Sequence, residues 1–243
     1  MFAIKIENLT KEYKDVLAVD RLNLQIEQNQ IFGLLGINGA GKTTTIKMLA
    51  CLIKPTSGDA FVMGHSIATE SEKIKAIIGY STQETAVAKN LTVKENLQFY
   101  GSLYNLNMQE IEERCERLIN QFGLRKVVNK RVGKLSGGYQ RKVSIALALI
   151  SNPQILFLDE PTLGLDVIAR RELWRVIEQI KKDCTIILTT HYLEEASALS
   201  DNIAIMVDGK LKAVDTPKNL IQKTNASNFE DAFIKIAGSE QYE

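Results

Sequence analysis

No apolar run in this sequence approaches the roughly 18 residues that cross a bilayer as one helix. The first residues, Met1-Phe2-Ala3-Ile4-Lys5-Ile6-Glu7, alternate as a strand does and lack the core of a signal peptide. An excess of one charge is missing too: 30 Lys and Arg stand against 29 Asp and Glu, a formal net charge of +1. That balance gives no ground for holding nucleic acid by bulk charge. Cysteine is sparse. Cys51, Cys115 and Cys184 are far apart and odd in number, so they offer neither a metal-ligand spacing nor a disulfide framework. They are expected as small buried apolar groups in a reducing compartment. No heptad repeat outlasts a few turns, which leaves no long coiled coil. What remains is ordinary for a globular protein: 45% hydrophobic and 24% charged residues over 243 positions. That length fits one large α/β domain, or one domain with a subdomain.

Within this plain background one stretch stands out, Gly36-Ile37-Asn38-Gly39-Ala40-Gly41-Lys42-Thr43. The apolar run Ile31–Leu35 precedes it and Thr44–Ala50 follows, the order of buried strand, glycine loop and helix. The spacing is that of a phosphate-binding loop. Glycines let successive backbone N–H groups turn into one hollow, and the helix that follows presents unpaired N–H groups and partial positive charge to an anion. Lys42 adds a full charge near the β- and γ-phosphates, and the Thr43 hydroxyl suits Mg²⁺.

The rest of the chain supplies context. Phe2, Ile4 and Ile6, then Leu22, Leu24 and Ile26, alternate as antiparallel strands around the polar turn 11–15, which exposes Tyr13. The helix after the glycine loop is expected to reach about Leu52 and to be broken by 54–58. Strands near 60–63 and 77–81 follow, and Gln83 sits where the chain leaves the sheet. From there to about Asn152 the pattern is helical: a capping box at Thr92–Glu95 opens one helix, and Asn105-Leu106-Asn107 precedes a second near 108–122. Leu135-Ser136-Gly137-Gly138 opens a third, apolar helix whose first turn carries Arg141 and Lys142. Cations are disfavoured at that end of a helix. Open N–H groups with added cations therefore suit an anion arriving from outside. Ile155–Asp159 reads as a strand buried on both faces, ending in the carboxylates Asp159 and Glu160 at the edge where α/β sheets bind ligands. One carboxylate can hold Mg²⁺ while the other polarises water. Asp166 caps a helix, Thr185–Thr190 forms a further strand with His191 at its carboxyl end, and Asp208-Gly209 turns a hairpin. His65 has no such setting. Phe229, Ala232, Phe233 and Ile236 form one face of a terminal helix between Asn228 and Gly238.

Taken in this order, these motifs resemble the ATP-binding subunit of an ABC transporter, over nearly the whole chain. Gly36–Thr43 is similar to the Walker A loop, Gln83 to the Q-loop, Leu135–Gly138 to the signature motif, and Ile155–Asp159 with Glu160 to Walker B. Gly164-Leu165-Asp166 resembles the D-loop, His191 the switch histidine, and Tyr13 the adenine-stacking aromatic. Tyr139 takes the fifth signature position, where the family usually has Gln, and Leu163 departs from the usual D-loop start. The resemblance implies a RecA-like P-loop NTPase fold: a mostly parallel core (1–85 and 154–215) with an antiparallel β part, an inserted helical subdomain (86–153) and a helical tail (216–243). It implies an ATPase with Mg²⁺, ATP bound by Tyr13, Gly36, Asn38, Gly39, Ala40, Gly41, Lys42, Thr43, Thr44 and Asp166, and from the partner by the signature residues Ser136, Gly137 and Gly138. Metal contacts fall to Thr43, Gln83 and Asp159, and catalysis to Glu160, His191 and Gln83. The implied partners are a second copy or a homologous ATPase subunit and an integral membrane permease, with no nucleic acid. The implied location is cytoplasmic, on the inner face of the membrane. Thr189–Ala196 and Phe229–Phe233 look like the drug- or lipid-exporting branch. The rivals are a soluble ABC ATPase of DNA repair or translation and a P-loop kinase. The stretch from Gln83 to Ser136 is too short for a repair-type coiled coil, and the 243 residues hold one such motif set rather than two. A kinase would not need the signature motif.

Overall fold

The computed structural model describes residues 2–104 and 106–238. Met1, at the head of the expected first strand, Asn105, in the link within the helical stretch, and 239–243, the end of the expected tail, lie outside the described residues. Alternating apolar positions build the hairpin of β1 (Phe2–Tyr13) and β2 (Val16–Glu27). The chain continues through β3 (Ile31–Leu35), α1 (Lys42–Leu49), β4 (Ser57–Val62), β5 (His65–Ser66), α2 (Ser71–Ile77) and β6 (Ile78–Ser81). Three longer helices follow, α3 (Val93–Ser102), α4 (Met108–Gln121) and α5 (Gly137–Leu149). The chain then returns through β7 (Ile155–Asp159), α6 (Val167–Ile180), β8 (Thr185–Thr190), α7 (Leu193–Leu199), β9 (Asn202–Val207) and β10 (Lys210–Asp215), and closes with α8 (Pro217–Lys223) and α9 (Phe229–Ala237). Among the described residues no helix is long and apolar enough to cross a membrane.

Two sheets result, as the motif order implies. One is antiparallel, in the order β2-β1-β4-β5; the other runs β10-β9-β3-β8-β7-β6, parallel except for the edge strand β10. Every residue of β3, β7 and β8 is buried, as helices on both faces of a parallel sheet require. Because these strands run parallel, their carboxyl ends share one edge of the sheet. Register places Asp159 beside Thr189 and Leu35 beside Thr190. The loop after β3, the carboxylates after β7 and the histidine after β8 thus meet without any long connection.

Local chemistry sets the helix ends. Thr92 and Glu95 cap each other at the start of α3, the Glu95 N–H donating to Thr92 Oγ1 at 3.2 Å and the Thr92 N–H to Glu95 Oε2 at 2.7 Å. Asn107 and Glu110 repeat the device at α4. α1 stops at Leu49, short of the expected Leu52, because Cys51 adopts a left-handed φ of 56° and the Leu52 N–H bonds back to Lys47 O at 2.9 Å. That is a Schellman ending without glycine.

The helical stretch has no separate core. Val93, Leu97, Ile111 and Leu118 of α3 and α4 belong to the same apolar cluster as Leu156, Leu158, Ile186 and Leu188 of the sheet. α5 makes the join, with Val143 and Ile145 fully buried. The terminal helix packs as expected: Phe229 and Phe233 lie with Leu35, Ile203 and Ile205 behind the sheet. The cysteines are free; burial pushes the thiols of Cys115 and Cys184 up to about 11 and about 12, and half-buried Cys51 is raised for the same reason.

α5 packs tightly on the sheet at Gly79 of β6, where an added Cβ would lie 2.1 Å from the Ala148 carbonyl oxygen. Backbone cannot yield as a side chain does. Gly79→Ala is therefore expected to lower unfolding free energy by about 2–3 kcal/mol in urea titrations, the range for overpacking a tight core.

Candidate active site

The loop between β3 and α1 is fixed by its own lysine. Lys42 Nζ donates to the carbonyls of Gly36 at 2.8 Å and Ile37 at 3.1 Å, drawing the loop around the ammonium group. Gly41 holds φ at 93°, and a Cβ there would meet the Ala18 carbonyl oxygen at 2.4 Å, so only glycine fits. Lys42 is 5% exposed and lies 3.8 Å from Glu160 Oε1. Burial pulls its pKa down, while Glu160 and Asp159 pull it back up.

Beneath the loop, Asp159 collects three hydroxyls. Thr43 Oγ1 donates to Oδ1 at 2.8 Å, Thr189 Oγ1 to the same oxygen at 2.6 Å, and the Tyr80 hydroxyl to Oδ2 at 3.2 Å. Burial, and then the Asp159 charge, raise the Tyr80 phenol well above its ordinary value, so it stays a donor. Glu160 sits at a left-handed φ of 49°, with its N–H shared between Thr189 Oγ1 at 3.0 Å and Thr189 O at 3.2 Å. This turn sends the Glu160 side chain toward His191, whose Nδ1 is 2.9 Å from Glu160 Oε2. The pair is close but not aligned as a hydrogen bond, which leaves both atoms buried without a hydrogen-bond partner.

A cleft of about 450 Å³ opens above these groups, lined by Ala18, Asn38, Gly39, Ala40, Gly41, Lys42, Thr43, Thr44, Gln83, Glu160, Leu163 and His191. Most of the predicted nucleotide and catalytic residues are thus brought together. Tyr13 does not line the cleft; it stands exposed at the end of β1 with Lys11 Nζ 4.9 Å from its ring centroid. His65, held near Glu70 at 3.2 Å, also stays outside. Ser136, Gly138 and Asp166 line a different hollow, of about 270 Å³, with Tyr139, Lys142, Ile168, Ala169 and Glu172. There the start of α5 abuts the start of α6, leaving 3.1 Å between an added Gly138 Cβ and Ala169 Cβ. Ser136 occupies the N-cap position, yet its hydroxyl makes no capping hydrogen bond. Asp166 does cap, accepting from the N–H groups of Ile168 and Ala169 at 2.9 Å each.

One expectation is corrected here. Arg141 and Lys142 are not held out for an incoming anion. Arg141 is buried and turns back under the sheet edge to donate to the carbonyls of Thr82 at 2.7 Å and Gln83 at 2.5 Å. Lys142 pairs with Glu172 of α6 at 2.8 Å. A buried guanidinium must find acceptors, and the loop carrying Gln83 supplies them. What α5 still offers an anion is the Ser136 hydroxyl and the backbone N–H groups of its first turn. Arg141, Tyr80 and Thr189 are the supporting residues that motif reading did not find. The pair Thr189-Thr190 before His191 was visible in the sequence, but its register against Asp159 was not.

The donor set suits Mg²⁺ and a nucleotide phosphate. Among the described residues no cluster of three or more His, Cys, Asp and Glu could hold a metal by itself. Thr43 and Asp159 instead supply a hard hydroxyl and one carboxylate, the protein share expected when phosphate oxygens and water complete the shell of Mg²⁺. The unpartnered atoms of Glu160 and His191 beside the glycine loop are those that a polar ligand would satisfy.

Known proteins resemble this chain in sequence and in fold. The chain is 44% identical over 227 residues to the human phospholipid-transporting ATPase ABCA3, covering 92% of this chain and 13% of that protein. It is 38% identical over 241 residues to YbhF of Escherichia coli (strain K12), a probable multidrug ABC transporter ATP-binding protein, covering 96% and 41%. The chain therefore spans less than half the length of these relatives. A solved dimeric, post-hydrolysis structure of the ATP-binding cassette MJ0796 bound to ADP and Pi superposes with a TM-score of 0.79 at 25% identity, covering 88% of this chain and 98% of that one. Residues 19–163 match the family described as ABC transporter, and the chain belongs to that family.

Proposed function

We propose that this chain is the ATP-hydrolysing subunit of a membrane exporter. In this reading it works as a head-to-tail pair, with a second copy or a homologous subunit, beneath an integral membrane permease in another chain. The single observation that carries the reading is the division of the machinery. Lys42, Thr43, Glu160 and His191 line one cleft, while Ser136, Gly138 and Asp166 line another. Each half lacks what the other has. A second chain placed head to tail would bring its Ser136 hydroxyl and α5 N–H groups to the first cleft, closing a composite site.

The residue roles follow. Lys42 neutralises charge on the β- and γ-phosphates. Thr43 and Asp159 would hold Mg²⁺, and Gln83, which lines the same cleft, would add a contact to it and to the attacking water. Bound there, Mg²⁺ supplies electrostatic stabilisation of the phosphoryl oxygens. Glu160 orients the water or takes its proton, and His191 steadies the γ-phosphate and the Glu160 carboxylate. Loss of the bridging phosphate then releases the partner, a shift between two states driven by the ligand. Residues 86–153 form the unit that passes this motion to the permease, and Arg141, which holds the Gln83 loop, links that unit to the cleft. Relatives named for phospholipid and multidrug transport support export of a lipid, drug or other small molecule. They also favour a cytoplasmic place at the inner face of the membrane over a role in DNA repair or translation, with no nucleic-acid partner. Tyr13 remains the candidate for stacking on adenine, which requires the β1–β2 turn to close over the cleft.

Glu160→Gln is expected to keep ATP binding, lower turnover by about 100-fold or more, and accumulate a dimer with ATP in size-exclusion chromatography. Normal hydrolysis by this variant would remove Glu160 from its role. Ser136→Arg is expected to abolish hydrolysis while the single chain still binds a fluorescent ATP analogue; loss of that binding would contradict capping in trans.

A further inference from the structure

Four residues beyond His191, the carboxyl group of Glu195 is wholly buried. Its Oε1 accepts from Thr162 Oγ1 at 2.7 Å and from Trp174 Nε1 at 3.2 Å, while Oε2 is buried without a hydrogen-bond partner. Burial pushes the carboxyl pKa up; the Thr190 hydroxyl favours the charged form but makes no aligned hydrogen bond with it. The partners are informative. Thr162 lies in the turn that leads from Glu160, in the cleft, to Asp166, in the second hollow. Trp174 belongs to α6, which Asp166 caps. Glu195 itself is on α7, which starts just after His191. One oxygen thus ties together the histidine side of the cleft, the turn 160–166 and the helix facing the proposed partner.

We propose that Glu195 is a positioning residue that keeps Asp166 and the start of α6 in register with Glu160 and His191, so that the two half-sites can close together. The proposal rests on the paired-subunit reading above. The geometry needs only an acceptor at Oε1, where Thr162 and Trp174 both donate. Glutamine has the same shape, with an acceptor at one end and a donor at the other, and should serve in its place. Alanine should not, and Thr162→Val removes the bond from the other side.

The test uses the full chain and three readouts: steady-state ATPase kinetics, ATP-induced dimerisation in a Glu160→Gln background by analytical ultracentrifugation, and the emission of Trp174, the single tryptophan. Glu195→Gln should keep kcat within about twofold and leave the emission unchanged. Glu195→Ala and Thr162→Val should each lower kcat by about tenfold with KM for ATP changed less than about twofold, the scale of one lost hydrogen bond. Both should raise the protein concentration needed for dimerisation by a similar factor, and Glu195→Ala should also shift the Trp174 emission. If Glu195→Ala does not fold, Thr162→Val carries the test alone. The proposal is overturned if Glu195→Gln fails as alanine does, or if Thr162→Val lowers only the melting temperature while kcat and dimerisation stay as in the parent. A Glu160→Gln chain that remains monomeric with ATP at every concentration would instead overturn the paired-subunit reading, and this proposal with it.

Discussion

Three hydroxyls on one buried carboxylate hold this site together. Asp159 ends β7, and its oxygens are claimed from α1 by Thr43, from β8 by Thr189 and from β6 by Tyr80. A carboxylate only 2% exposed would be costly without such donors. Meeting that requirement fixes the start of α1, the strand β7 and both its neighbours, β6 and β8, at one height. Glu160 inherits its place from the same contacts, because its N–H is bound by Thr189. The carboxylates proposed to hold the metal and to activate water are therefore adjacent residues at one anchored strand end, and their separation does not depend on any long connection.

The sequence disclosed the parts of the site that are contiguous along the chain. Gly36–Thr43, Asp159-Glu160 and the caps at Thr92 and Asp166 were legible because their chemistry is set by spacings of a few residues. The buried strands were legible from unbroken apolar runs. Three kinds of feature were not. Arg141 looked like a cation at an unfavourable helix end, because its acceptors lie on a loop 58 and 59 residues away. The early end of α1 depends on Cys51 adopting a conformation that propensity assigns to glycine or asparagine. The shared core of α5 and the sheet depends on which face of an almost wholly apolar helix meets Gly79, and periodicity cannot say that of a helix apolar all round. Each miss comes from tertiary contact overriding a local preference.

The proposed division of labour between subunits has a structural counterpart within one chain. α5 is apolar and buried along most of its length, yet its first residues open onto a polar hollow. A helix anchored so firmly cannot present its N-terminus to a second ligand by bending. Any displacement of that N-terminus would carry α3 and α4, whose side chains share its core, and would have to slide against the sheet residues of the same cluster. The Arg141 bonds tie the start of α5 to the Gln83 loop at the cleft through carbonyl oxygens rather than through the glutamine side chain.

The state of the cysteines has a practical consequence for following such motion. Cys115 and Cys184 are buried, with thiols raised far above neutral pH, so little thiolate forms there to attack a maleimide. Cys51 alone among the three has partial access to solvent. Replacing that one residue would leave a chain whose remaining native thiols are shielded. A spin label or fluorophore could then be attached at a new surface cysteine beside either hollow, and the distance between protomers followed through a turnover cycle without stripping the core of its own thiols.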